Sequence, residues 1–445
     1  MAVDRQNVVS FIVFLVCGAT LAFLAGVSAA VLNLPPTALV QEARSTVKEL
    51  IHGPWYRDPR WMPRRYEGTG LVTYNPELSW AGLTVMQGMF DDGAQARVYD
   101  ADGTLLRTWP LDFHAIWSNP AHIIPDKNIP KGSGEYHTQG VALGKDGSVL
   151  VNFAELGTAR LGPCGDTVWT VDQMTHHSIT ENPDGTYWIP KKRDPATITP
   201  KYMLPGASVE AIMDSDNYYA DSALLIDPEG RIIEDVPILE PTIDWLIENQ
   251  ELDIIYGLNP EELDPLHLND IEVVTPELSA RISGSEPGDL LLSMRNLHAL
   301  AVLNRSSGKI VWMQHGPWLK QHDPDIEQDG TITVFDNGSG HRMPGRDFVG
   351  ARVLRFDPVT GLAETVYPQN DDQRFFSFIM GTHQALPNGN ILVTESTSGR
   401  VFEITRDGET VWSMVFVAGT RSAALIEEAR RYPLDFVDRS VWSCP

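Results

Sequence analysis

Six of the 12 histidines in this chain stand at one repeated place. His137, His176, His177, His267, His322 and His383 each sit at the start of a β-rich run. In four copies a tight Asp-Gly or Asn-Gly turn follows: HTQGVALGKDGSVLVNF from His137, HHSITENPDGTYWIP from His176, QHDPDIEQDGTITVFD from Gln321 and THQALPNGNILVTES from Thr382. Neutral imidazoles brought together can bind a metal, move protons or attack an electrophile directly. A metal site calls for close ligand spacing or nearby thiolates, and His176-His177 is the one tight pair, so no metal is assigned. A lone histidine on a strand is ordinarily a satisfied structural residue, but packing accidents do not keep choosing the same repeat position. The chain has no Gly-x-Ser-x-Gly nucleophile turn and no phosphate-cradling Gly-x-x-x-x-Gly-Lys loop.

The elements that must position these residues are short strands. A strand-rich repeat of roughly 40–60 residues is the pattern of a β-propeller, whose blades bury their faces only by stacking around an axis. An inner strand type is read in LTVMQG from Leu83 and in the four histidine copies. An outer type, a turn followed by an alternating strand, is read in YDADGTLLRTW from Tyr99, LGPCGDTVWTV from Leu161, IDPEGRIIEDV from Ile226, NRSSGKIVWMQ from Asn304, FDPVTGLAETV from Phe356 and ITRDGETVWSM from Ile404. Such turns between alternating apolar runs are hairpin signals. Six outer strands imply six blades, the remaining inner strand being PGDLLLSMRN from Pro287, reached from LHLNDIEVV at His267 through a lengthened turn.

The expected fold is therefore all-β, a six-bladed propeller over residues 69–445. Residues 192–265 lack strand periodicity over much of their length and include a helical pattern, TIDWLIENQELDIIYG. They are expected to form a lid-like insertion on one face. A C-terminal helix, SAALIEEARR from Ser422, is expected within a tail spanning 421–445. Residues 35–68 read as a stalk, a short helix and an Arg/Pro/Trp-rich connector.

From Val8 to Leu34 the chain carries no charge, long enough to cross a bilayer as a helix. Its length favours an uncleaved anchor over residues 1–34, although Val27-Ser28-Ala29-Ala30 would suit cleavage. Basic residues after the span, Arg44 and Lys48 among them, count toward an inside domain, but large domains translocate largely regardless of charge, and the domain is placed outside, in the periplasm. Outside the anchor the only cysteines are Cys164 and Cys444, a pair suited to an extracytoplasmic disulfide or, failing that, two buried thiols. The formal charge of −25 repels phosphate backbones and excludes nucleic acid as a partner.

The combination DPLHLNDIEVV, LLSMRNLHALAVLNRSSGKIVW, KQHDPDIEQDGTITVFDNG and THQALPNGNILVTES resembles the bacterial arylsulfate sulfotransferases, membrane-side six-bladed propellers. The likeness runs from Gly68 to about Val415. It implies transfer of a sulfuryl group from an aryl sulfate to a phenol through a sulfated histidine, with no nucleotide donor and no cofactor. By motif, His322 in QHDPD looks like the nucleophile, and His267 in LHLND and Arg295 in SMRN look like ligands of the sulfuryl oxygens. His177, His383 and Asn269 are expected to line the substrate site.

The chemistry suits these roles, since a neutral imidazole is a good nucleophile and a guanidinium offers a planar fork to two sulfuryl oxygens. Asn269 or Asp270 is expected to orient His267, and Asp323 or Asp325 to fix the tautomer of His322. One position departs from the family. A histidine follows the arginine there, whereas this chain has Asn296, with His298 two places on. On a strand both would face the same side, so either His298 substitutes or the sulfuryl pocket lacks a donor. The alternative to an enzyme of this kind is a propeller that binds a protein partner on its face, with a metal- or redox-dependent propeller enzyme behind both.

Overall fold

A computed structural model describes residues 62–90, 92–203, 208–209, 220–256, 264–338, 350–419 and 422–444. The expected anchor and the stalk helix lie outside them. Among the described residues no helix is long and apolar enough to cross a membrane.

Among the described residues six antiparallel sheets of four or five strands make six blades. The second blade runs outward from the axis through Thr138–Leu143, Val149–Phe153, Gly157–Leu161 and Thr167–Val171. The third uses Thr180–Glu181, Tyr187–Lys192, Asp221–Ile226 and Ile232–Pro237. Leu268–Val273, Leu290–Met294, Ala299–Asn304 and Lys309–His315 form the fourth. The fifth comprises His322–Ile326, Ile332–Asp336, Arg352–Phe356 and Ala363–Tyr367. Thr382–Ala385, Ile391–Glu395, Arg400–Ile404 and Thr410–Val415 make the sixth. Middle strands such as Leu290–Met294 are buried at every residue because a neighbouring blade covers each face, whereas outer strands such as Ile232–Pro237 keep one edge in water.

The first blade shows how the ring closes. Its inner strand is Leu425–Pro433 from the far end of the chain, paired antiparallel with Gly82–Phe90 from Gly82↔Pro433 to Met89↔Leu425, with Gly93–Tyr99 and Leu105–Pro110 outside. Gly70–Tyr74 in turn adds a fifth, outermost strand to the sixth blade. Two expectations are corrected here. LTVMQG is the second strand of its blade, not the inner one, and the run from Ser422 is strand rather than helix. Ala, Glu and Arg favour a helix locally, but the first blade has an open inner edge. Burial there against Gly82–Phe90 outweighs a propensity difference of a few tenths of a kcal/mol per residue. The charged residues of this strand find partners on being buried: Arg431 pairs with Glu403, and Arg430 with Glu428.

The stretch 192–265 is likewise more than an insertion, since Asp221–Ile226 and Ile232–Pro237 within it are the outer half of the third blade. Beyond them Leu239–Glu248 is a helix that turns Leu239, Ile243 and Leu246 onto the core shared by the third and fourth blades.

Cys164 and Cys444 are joined, with Cα atoms 5.6 Å apart across a sequence separation of 280. Trp442 beside them donates from Nε1 to the Gly147 carbonyl at 2.8 Å and meets Trp109 edge to face. The tail thus straps the first blade to the second. Restricting so long a loop in the unfolded chain stabilises the fold by roughly 4–5 kcal/mol.

Candidate active site

The histidines gather because each blade starts its inner strand at the same end of the channel. The backbone there is bent to aim them. His177, His267 and Asp323, next to His322, all have φ between 50° and 55°, a left-handed region that costs a side-chain-bearing residue on the order of 1 kcal/mol. The inner strands of the fourth and fifth blades also slip register at Leu268/Asp270 and His322/Pro324, bulges that turn the first side chains inward. Gly381, at φ 102°, closes beneath them, and a Cβ at that position would lie 2.3 Å from the Phe335 ring.

Three imidazoles converge. The rings of His177 and His267 are 4.8 Å apart, edge to face, and those of His177 and His322 are 6.4 Å apart. Beside them opens a cleft with His177, His322, Asn269 and Met380 in its wall. Arg295 belongs to the same group, its backbone N–H donating to the His267 carbonyl at 3.1 Å. Burial, then the Arg295 guanidinium, lowers His322 to about 3. Burial also holds His267 and His177 well below the ordinary histidine value, with Arg295 adding to it for His267, and His267 and His176 for His177. All three are uncharged at neutral pH, as nucleophiles and bases require.

The tautomer of His322 is set by Asn337. The Asn337 amide nitrogen donates to the Ser377 and Met380 carbonyls at 2.9 and 2.6 Å, so its oxygen is the atom that faces His322 Nδ1 at 2.7 Å. Nδ1 therefore carries the proton and Nε2 the free electron pair. His267 is oriented by Asp264, which accepts its backbone N–H at 3.0 Å and meets its Nδ1. Burial raises Asp264 to about 7.

Neither pair is the one expected from sequence. Asn269 does not orient His267: it donates to the Gln321 carbonyl at 2.7 Å, tying the fourth blade to the residue before His322. Asp270 lines the same cleft as His177 and His322, its carboxyl pushed well up by burial and by Asp323. Asp323 and Asp325 hold His383 instead, with Nδ1 2.8 Å from Asp323 and Nε2 3.6 Å from Asp325. These carboxylates raise His383 to about 9 against the effect of its burial, so it meets them as a cation outside the imidazole trio. Their ligand atoms also lie within 4.8 Å of one another, the one grouping among the described residues close enough for a metal ion. His137 is drawn to Glu427, at 3.9 Å.

At the family's departure the strand argument does not apply, because Arg295–His298 form the hairpin loop and His298 has φ 51°. His298 Nδ1 accepts the Lys320 backbone N–H at 3.0 Å, and Asn296 Oδ1 accepts from Lys320 Nζ at 2.6 Å and from Arg295 at 3.1 Å. Asn296 thus gathers two cations, and Lys320 stands where the sequence offered no signal. Asp264 and Asn337 were equally unmarked, although a carboxylate three residues ahead of His267 and an Asx residue just past the strand facing His322 are the places to look.

A family model described as arylsulfotransferase (ASST) matches residues 140–417. No curated protein matches the chain. Among solved structures, a Bacteroides caccae protein of unknown function is similar at 12% identity, covering 79% of this chain and 99% of its own, with a TM-score of 0.47. A catalytically inactive virginiamycin B lyase from Staphylococcus aureus with quinupristin is similar at 11% identity over 79% and 92%, with a TM-score of 0.39.

Proposed function

Because this chain belongs to the arylsulfotransferase family, we propose that it moves a sulfuryl group from an aryl sulfate to a phenol through His322. The observation that carries this reading is the state of His322: uncharged, its Nδ1–H committed to Asn337, its Nε2 free beside His177 and His267 in the field of Arg295. Nε2 attacks sulfur, the S–O bond to the aryl oxygen breaks, and the phenolate leaves. A second phenol then attacks the same sulfur, its proton passing to a base and balancing the one the departed phenolate takes up, and the S–N electron pair returns to Nε2. Arg295, Lys320 and His267 offer donors to the sulfuryl oxygens as charge redistributes.

The test is a rapid-mixing experiment with a chromogenic nitrophenyl sulfate. A burst of nitrophenol, a sulfuryl adduct mapped to His322 and its discharge on adding phenol are expected. No nitrophenol and no adduct across several aryl sulfates would sink the reading. We place the domain outside the cytoplasm, and Cys164 and Cys444 should then resist alkylation in native protein until reduced.

A pH dependence follows from Asp264. Below about pH 7 its carboxyl is protonated and donates to His267 Nδ1, leaving Nε2–H to face the sulfuryl oxygens. Above that pH the carboxylate takes Nδ1–H, Nε2 loses its proton and the site gains a negative charge. The kcat/KM for the sulfate donor should therefore fall as pH rises through about 7, by on the order of 10²-fold at the limit. Asp264→Asn, which can accept from the backbone and donate to Nδ1 at every pH, should flatten that profile. A limb that persists unchanged in this variant would assign it to another group.

A further inference from the structure

Two buried residues behind the imidazole trio have no part in sulfuryl capture. His176 is 1% exposed and Asp221 is wholly buried, and His176 Nε2 lies 3.3 Å from Asp221 Oδ1. The other carboxylate oxygen accepts the Leu268 backbone N–H at 2.9 Å, fixing Asp221 between the third and fourth blades. His176 Nδ1 in turn lies 2.8 Å from His177 Nδ1, with the two rings edge to face. The His177 ring is held from its backbone as well, its N–H donating to Gln139 and its carbonyl accepting from Asn152 at 3.0 Å.

This geometry assigns protons. A carboxylate opposite Nε2 of His176 keeps the proton on that nitrogen, so His176 Nδ1 is the acceptor of the pair. His177 must then donate from Nδ1, and its Nε2, in the wall of the cleft, is bare. Of the neighbouring imidazoles, His322 is the nucleophile, His267 shares its proton with Asp264, and His383 is already a cation between two carboxylates. Glu155, whose carboxyl burial pushes up against the opposing pull of Lys192, and Asp264 also face His176.

We propose that Asp221 and His176 are positioning residues that make His177 the base for the acceptor phenol, an inference that rests on the sulfotransfer reading above. In the second half-reaction the acceptor oxygen bonds to sulfur, the S–N pair returns to His322 Nε2, and the phenolic proton passes to His177 Nε2. The imidazolium so formed donates from Nδ1 to His176, whose Nε2–H faces Asp221. In the next cycle His177 returns that proton to the departing phenolate, and the account of atoms and charge closes.

The experiment separates the two half-reactions. Nitrophenyl sulfate needs little help in leaving, so the nitrophenol burst in His176→Asn should stay within a few-fold of wild type. Discharge of the sulfated enzyme to phenol, which ionises near pH 10 as tyrosine does, should slow on the order of 10²-fold, within the range of general-base catalysis. Discharge to an acidic nitrophenol, already an anion, should be nearly spared. Asp221→Asn should show the same pattern in milder form. Equal losses in both half-reactions, or for both acceptors, overturn the relay. If neither variant folds, the wild type decides: a discharge rate nearly independent of acceptor acidity supports the relay, and a steep rise with acidity refutes it. The wild-type burst tests sulfotransfer by itself, so failure of that reading is seen separately.

Discussion

His322→Ala should release no nitrophenol from nitrophenyl sulfate and carry no sulfuryl adduct, a loss on the order of 10⁶-fold, the scale on which removing a covalent nucleophile acts. The reason lies in which nitrogens are free. His267 Nδ1 is engaged by Asp264, and both ring nitrogens of His383 face carboxylates. His177 Nε2 is bare, but its Nδ1 leans on His176 rather than on Asn337. The variant should fold, because His322 opens its strand and the Ile332–Asp336 pairing below it is kept by backbone bonds. A melting profile like that of wild type, together with a dead enzyme, is the expected result. An adduct that moves to His177 with turnover retained would show that the nucleophile was assigned to the wrong ring.

Arg295→Ala should cost on the order of 10²–10³-fold in kcat/KM for the donor, since its guanidinium is a half-buried cation beside His322 and His267 and an anionic donor needs such a partner. Arginine is a fixed positive charge that depresses His322, His267, His177 and Asp264. Its removal should shift every pH limb of the donor reaction toward higher pH. For His322 the sign is plain: losing a nearby cation makes protonation easier, so the nucleophile is silenced at a higher pH than the wild type's value of about 3. A merely structural role would lower the rate without moving the limbs. Arg295→Lys should recover charge but not the planar fork, moving the limbs back while leaving much of the rate loss.

How much of this was legible depends on the range of the interaction. The hairpin turns at Asp146-Gly147, Asp329-Gly330 and Asn388-Gly389 are closed by backbone bonds within five residues, so the blades could be counted from sequence. The recurring histidines were visible for the same reason. Their supports were not. Asn337 reaches His322 across a hairpin and is itself fixed by Ser377 and Met380, from the next blade's approach. Asp221 reaches His176 from two strands away, and a stretch read as insertion hid it. Asp323 and Asp325 were misassigned because adjacency suggested His322, whereas the bulge at His322/Pro324 turns them toward His383 of the sixth blade.

The sequence alone determined the repeat, the number of blades and the end of the channel at which imidazoles would collect, because turn chemistry and strand alternation act over a few residues. The tertiary structure decided three things. It made a strand of Leu425–Pro433, since only the open edge of Gly82–Phe90, some 340 residues away, can repay the burial of its charges. It set the protonation of the site, since a carboxyl rises to about 7 and a histidine falls to about 3 only when water is excluded by blades that meet around the axis. And it chose which nitrogen of each ring is free, because that choice belongs to the hydrogen-bond partner on the other side, and for His322, His176 and His177 that partner or its anchor comes from another strand.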